Sequence, residues 1–308
     1  MSAIVDTPGA DAAPPLTRSG ALARLSRSPT VVLGVVVLAL IVVMGVTAPL
    51  LANFDPTAIN PVMRNKTPGT MEALSAADGT KTELRHWMGT DSLGRDVASR
   101  VVYGARVSLL VGISVAVLAV GIGLVIGLTA GYVRALDGVV MRFMDGLMAI
   151  PAILLAIAVV SLSSAGLAAV IVAIVIPEVP RVVRLVRSVV LSVREEPYVE
   201  AAISLGTPTL PLIVRHILPN TLPPLIVQAT YICASAILIE AILSFLGVGI
   251  PSQTPTWGNI MAEGRTLFRV YPHNILYPGI FLALTVLAVN LLGDGLRDTL
   301  DPRLQKRL

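Results

Sequence analysis

Apolar residues gather in six long stretches, separated by segments in which charge, Pro and Gly are concentrated. The first, Val31 to Leu51, runs 21 residues without a charge, and about 20 suffice to span a bilayer core. The others run from Val107 to Tyr132, Val139 to Leu162, Gly166 to Ile176, Leu222 to Val248, and Leu276 to Gly293. The fourth reaches spanning length only by continuing through Pro177 and Pro180 toward Val183, which predicts a kinked or tilted helix. The pattern predicts an all-α integral membrane protein with six transmembrane helices. In the second stretch Gly121, Gly123 and Gly127 include small-xxx-small spacing, which lets helices approach closely. Glycine is also simply common in membrane helices, and both readings stand.

Residues 53–85, rich in Pro, Asn, Thr and Ala, have no clear period and read as irregular loop. The largest polar interruption is 184–220. At its start, before residue 200, Val182, Leu185, Val189 and Val193 share one helical face, beside a basic ridge of Arg181, Arg184 and Arg187, as in an interfacial helix held by anionic lipid. Pro197 then resets the chain, and Glu200-Ala201-Ala202 starts a helix whose acidic group suits the dipole. Gly206 stands where a left-handed C-terminal cap is needed. Thr207-Pro208 or Thr209-Leu210-Pro211 opens a second helix, expected to end near Pro219. Proline and capping residues reduce the alternative conformations, so this hairpin reads as a rigid docking knob.

Composition agrees: 55% of the 308 residues are hydrophobic and 14% charged, with mean hydropathy +0.81. The net charge of +4 carries no compact basic module and aromatic residues are few, which argues against a nucleic-acid partner. Excess Arg instead marks cytoplasmic loops. With the N-terminus inside, fourteen of the 23 Lys and Arg fall there: Arg18, Arg24, Arg27, Arg134, Arg142, Arg181, Arg184, Arg187, Arg194, Arg215, Arg297, Arg303, Lys306 and Arg307. The expected organisation is a cytoplasmic tail, 1–29, and a membrane domain, 30–308. The domain would carry an external loop, 53–106, and the cytoplasmic loop 184–220. The first run exceeds a signal peptide's apolar core, so an uncleaved span is expected.

The single Cys233 excludes an internal disulfide, and no Cys/His cluster suggests a metal site. No GxxxxGK[ST] string is present to cradle ATP phosphates, so energy must come from elsewhere. His86, His216 and His273 lie in separate loops, without HExxH or GxSxG, which disfavours an intramembrane enzyme. Glu240 sits within the fifth apolar stretch, where a lone charge is costly, and should face protein or water. Its two roles are an interhelical hydrogen bond and a place on the translocation path. In GTDSLGRD, Asp91, Arg95 and Asp96, with nearby Arg100 and Arg106, either bind a cation or a substrate terminus at an external gate or pair with one another. Asp294, Arg297, Asp298, Asp301 and Arg303 read as the paired end of the last helix. Trp257 reads as an interfacial anchor. An ion- or proton-coupled secondary transporter using Glu240 and Asp145 as relays is the alternative class. Such proteins usually carry internal repeats, and none is found.

The pattern Glu200-Ala201-Ala202, then Gly206, then Arg215-His216-Ile217-Leu218-Pro219-Asn220 resembles the coupling loop of ABC-importer permeases, in the dipeptide, oligopeptide and nickel branch. HWMGTDSLGRDVASRVVYGARVSLLVG from His86, LSFLGVGIPSQTPTWGNIMAEGR from Leu243, and NLLGDGLRDTLDPR from Asn290 resemble the same branch. The resemblance covers residue 86 to the end and the first span. It implies a type I importer fold in a bacterial inner membrane, with both termini cytoplasmic. It implies a permease of the second-subunit kind, itself without catalytic residues, beside a homologous permease, two ATPase subunits or domains and an external substrate-binding protein. ATP and Mg would be held by the ATPases, with no cofactor on this chain. Glu200, Ala201, Ala202, Gly206, Arg215, His216, Leu218 and Pro219 would couple to an ATPase, and the cargo would be a di- or oligopeptide. The sequence departs from the branch at Pro208 and Pro211, which crowd the turn, and at Ile176-Pro177-Glu178-Val179-Pro180, where an aromatic-containing stretch is usual.

Overall fold

The computed structural model describes residues 28–75, 81–163 and 166–300. Most of the tail predicted for 1–29, with Arg18, Arg24 and Arg27, lies outside them, as do Asp301, Arg303, Lys306 and Arg307. Helix α1 (Pro29–Val46) has no charge and carries Pro29 at its start, where a missing N–H is harmless. It breaks at Thr47, whose hydroxyl donates to the Val43 carbonyl at 2.7 Å. A further helical turn, Ala48–Leu51, follows.

The segment expected to be irregular contains a 3-10 turn, Pro61–Met63, and two antiparallel strands, β1 (Thr70–Ser75) and β2 (Lys81–His86), with Thr70 opposite His86. Neither strand is rich in β-branched or aromatic residues, so local preference does not announce them. Their pairing is secured at one end by a side-chain link, since His86 Nε2 meets Glu72 Oε2 at 2.9 Å.

Helix α2 (Val97–Tyr132) begins well before Val107, the predicted boundary. Asp96 caps it, accepting from the Ser99 N–H at 2.7 Å, and Arg100 and Arg106 in the early turns disguise the helix as loop. Where one span was predicted over 139–162, two helices meet at an 86° bend: α3 (Arg134–Met148) and α4 (Ala152–Ser161). Pro151 cannot continue the α3 ladder, and it disfavours helical geometry at Ile150. Helix α5 (Leu167–Arg194) does the opposite, running unbroken through Pro177 and Pro180. Its hold on α2 outweighs two lost hydrogen bonds. Val182 and Val186 press so close to Gly123 and Gly127 that a Cβ there would lie 2.5 and 2.6 Å from the valine Cβ atoms, whereas Gly121 faces open space.

The hairpin is α6 (Pro197–Ser204) and the first turns of α7 (Thr209–Phe245). Short α8 (Trp257–Gly264) tucks under the far end, and α9 (His273–Leu300) returns along α1 and α7. Among the described residues four helices, α1, α2, α7 and α9, are long and apolar enough to cross a membrane, or five if the bent pair is one span. The fourth predicted segment is a 28-residue helix, but Glu178, Arg181 and Arg184 make it more charged than the others. Val111, Val115 and Ala119 of α2 form the core with Val182, Val183, Val186 and Val190 of α5 and Ile232 of α7.

Candidate functional site: the hairpin and the opposite polar end

Pro197 opens α6, and Glu200 lies in its first turn. Val199 and Ala202 are buried against Leu212 of α7, which clamps the two arms together. The turn between them is a left-handed cap: Gly206 has φ +78°, its N–H donates to the Ile203 carbonyl at 2.9 Å, and the Thr207 N–H donates to the Ala202 carbonyl at 3.1 Å. Those two bonds use carbonyls that the helix end leaves open. The second helix starts at Thr209 with Pro211 in its first turn, so the crowded prolines do not delay it.

The second arm does not end near Pro219, contrary to expectation. It continues into α7 through a π-helical turn, Ile213–Ile217, in which the Leu218 N–H reaches back five residues to the Ile213 carbonyl. Widening the ladder there accommodates Pro219, which has no N–H to give. Asn220 braces the junction, donating to the His216 carbonyl at 2.7 Å and to the Tyr198 hydroxyl at 3.1 Å. Glu200, Ala201, Arg215 and Pro219 are exposed, while His216 and Leu218 are half-buried. At the tip Leu205 is 86% exposed and Leu210 71%. This is an apolar point on a braced support.

The arginine ridge on α5 is paired rather than left for lipid. Arg181 meets Glu178 at 3.2 Å, Arg184 meets Asp145 at 2.6 Å, and Arg187 binds Asp137 through two nitrogens. Asp145 is thus an exposed partner of Arg184, distant in role from an intramembrane relay. Glu240 is fully buried, with Oε1 accepting from the Ser244 hydroxyl at 2.8 Å, and that hydroxyl accepts from the Ile250 N–H at 3.2 Å. It faces protein and ties the end of α7 to the chain that leads into α8.

At the opposite end the GTDSLGRD residues bond mainly to one another and to α8. Asp91 accepts from Arg95 Nε at 2.7 Å, and Arg95 also binds Glu263. Fully buried Arg100 lies 3.4 Å from Glu263 and 3.4 Å from Asn259. Burial pushes the Glu263 carboxyl above the usual carboxylate range, and the neighbouring Arg100 and Arg95 oppose that shift. Asp96 caps α2 and also meets His86 Nδ1 at 2.8 Å, while Phe54 stacks on the His86 ring. Glu263, Glu72 and His86 were not singled out from the sequence for this end. A Glu lying 168 residues beyond its Arg leaves no local signal. Trp257, expected as an interfacial anchor, is fully buried, and its indole N–H donates to the Val101 carbonyl at 3.0 Å. Gly104 makes room for that ring. Asp294 bonds across helices to the Tyr231 hydroxyl at 2.5 Å.

Comparison with known proteins identifies the family. Residues 18–68 match the family described as the N-terminal TM domain of oligopeptide transport permease C. A probable peptide ABC transporter permease of Sinorhizobium fredii is 49% identical over 281 residues, 91% of each chain. A dipeptide transport system permease of Alkalihalophilus pseudofirmus is 38% identical, over 92% of this chain and 90% of its own. Among solved structures, an inward-facing methionine ABC transporter superposes with TM-score 0.55 at 19% identity, covering 66% of this chain and 96% of that one, a likeness of fold. Residues 119–306 match the binding-protein-dependent transport system inner membrane component, and the chain belongs to that family of ABC-importer permeases.

Proposed function

We propose that this chain is the transmembrane permease subunit of an ATP-driven importer of di- or oligopeptides, and that its hairpin takes force from an ATPase. The observation that carries the coupling role is the hairpin's continuity with α7. A tip of Leu205 and Leu210 stands on a clamped turn, and its second arm is the start of a 37-residue helix, roughly 55 Å long at 1.5 Å per residue. A push on the tip therefore moves a membrane-spanning rod. Glu200, Ala201, Ala202 and Gly206 shape the docking arm, and Arg215, His216, Leu218 and Pro219 form the junction that passes displacement on. The charge distribution among the loops supports placing the hairpin, and both termini, in the cytoplasm.

The complex would contain this chain, a homologous permease, two ATPase subunits or domains holding ATP and Mg, and an external binding protein that delivers the cargo. The peptide class rests on the relatives' names and on the branch motifs. ATP-driven closure would turn the pathway outward, and hydrolysis would reset it. Cysteines placed at residues 205–212 should crosslink to the ATPase in membranes, and purified chain without ATPases should show no specific ATP turnover. Absence of every such crosslink in a transporting complex overturns the docking role.

A further inference from the structure

A cleft of about 610 Å³ runs along α7 beside the hairpin, lined by Leu185 of α5, by Asn220, Pro224, Gln228 and Tyr231 of α7, and by Arg297 of α9. Its volume falls in the range of roughly 300–1,000 Å³ usual for small-molecule sites. We infer that this cleft is a subsite of the translocation path that holds the cargo peptide by its backbone and its C-terminal carboxylate, an assignment that rests on the peptide reading above.

Three features select that ligand. Pro223 and Pro224 have no N–H, so the carbonyls of Pro219 and Asn220, four residues earlier, lack the donor that a regular helix would give them. Both residues line the cleft, which therefore offers backbone acceptors at a helix surface. Second, Gln228 lines the cleft one turn further along, and its amide offers a donor and an acceptor. Third, Arg297 brings a guanidinium, whose fork matches a carboxylate, beside the Tyr231–Asp294 bond. A peptide has the N–H groups that those carbonyls lack and the anion that Arg297 takes. A lipid phosphate would satisfy Arg297 but would face the carbonyls with more acceptors.

The polar track continues inward along α7. Ser235 lies one turn beyond Tyr231, its hydroxyl 3.4 Å from the carboxylate of Glu178, which is paired with Arg181. Polar groups at such depth are costly and face protein or water rather than lipid. Asn220, Pro224, Gln228, Tyr231 and Ser235 follow one another at three- or four-residue steps, so they form one stripe on the helix.

The test uses the complete complex with its binding protein in proteoliposomes, and compares uptake of a tripeptide with that of its C-terminal amide. Arg297→Gln should cut uptake of the free acid about tenfold or more, the value of a lost charge-assisted hydrogen bond, and should shrink the preference for acid over amide. Arg297→Lys should restore part of it. Gln228→Ala should raise the KM for both peptides. A diazirine-bearing tripeptide should label residues 219–235, and unlabelled tripeptide should compete. A purely structural Arg297 would lower both uptakes equally, and that result overturns the assignment. So does labelling that vesicle phospholipid suppresses and tripeptide does not. If variants and parent transport alike and no label reaches α7, the subsite fails while the importer reading stands. If the unaltered complex takes up no peptide, the cargo reading fails and this subsite with it.

Discussion

Two glycines in left-handed conformation mark the two ends of the molecule, and what surrounds them differs. Gly206 in the hairpin, at φ +78°, has nothing within 4 Å of where a Cβ would stand, whereas at Gly94, with φ +80°, that Cβ would lie 1.8 Å from the Asn60 carbonyl oxygen. The far end is packed upon itself: Arg95 and Arg100 engage Glu263, Arg95 also holds Asp91, and Asp96 engages His86. The hairpin end keeps its apolar tip and its acidic Glu200 exposed. Similar charged and glycine-rich sequence therefore serves opposite purposes. One end spends most of its charges within this chain, and the other leaves an apolar tip in the open.

Gly94→Val should break this contrast most severely, since backbone meets side chain and the φ angle is also unfavourable. Loss of the monodisperse membrane protein in detergent chromatography is the expected result, and a normal elution profile would contradict the packing described. Next comes Glu263→Ala, which leaves Arg95 and Arg100 buried without their shared carboxylate. Breaking a buried pair from one side costs about 3–5 kcal/mol. Thermal inactivation in detergent should occur markedly earlier, and a Glu263→Gln variant should fall between the two. Glu240→Leu should impair assembly by stranding Ser244, while Glu240→Gln retains the hydrogen bond and assembles. Equal yields of assembled complex from both would remove Glu240 from the α7–α8 link.

At the hairpin the expected effects are smaller in stability and larger in coupling. Gly206→Val adds backbone strain of roughly 1 kcal/mol or more with no clash, so the chain should insert normally while ATP hydrolysis loses its link to uptake. A ratio of ATP consumed to cargo moved that equals the parent's would make the turn a mere tether. Glu200→Lys, placed in the first turn of α6, reverses a dipole interaction worth about 0.3–1 kcal/mol. It should weaken ATPase association mildly, as read by co-purification at increasing salt, and a stronger effect than Gly206→Val would invert the ranking.

Particular residues show how far the sequence could be read. The Gly206 cap was legible because a helix end requires a left-handed residue within a few positions of the last turn, which is local chemistry. So were the long apolar spans, whose length is set by the bilayer. The continuity of α5 through Pro177 and Pro180 was expected from the length a span needs, but the break at Pro151 was not, because proline's lost bond is the same in both places. What differs is the neighbour: valines of α5 lie against the glycines of α2 along successive turns. The β-hairpin at Thr70–His86 escaped notice because its fastening, His86 between Glu72 and Asp96, is formed by side chains well separated in sequence.

By itself the sequence determined that the chain is an apolar, helical membrane protein with a stiff polar hairpin, and its motifs placed it among importer permeases. The membrane class and the hairpin follow from composition, period and turn chemistry, each of which acts within a few residues, while the family placement came from the resemblance of the motifs. Only the tertiary structure decided which charges are spent internally. Arg95 found Glu263, the α5 arginines found carboxylates on α3 and on their own helix, and Trp257 went into the core instead of to an interface. A charge's partner is chosen by the packing of distant helices, and that choice leaves no trace in the local pattern.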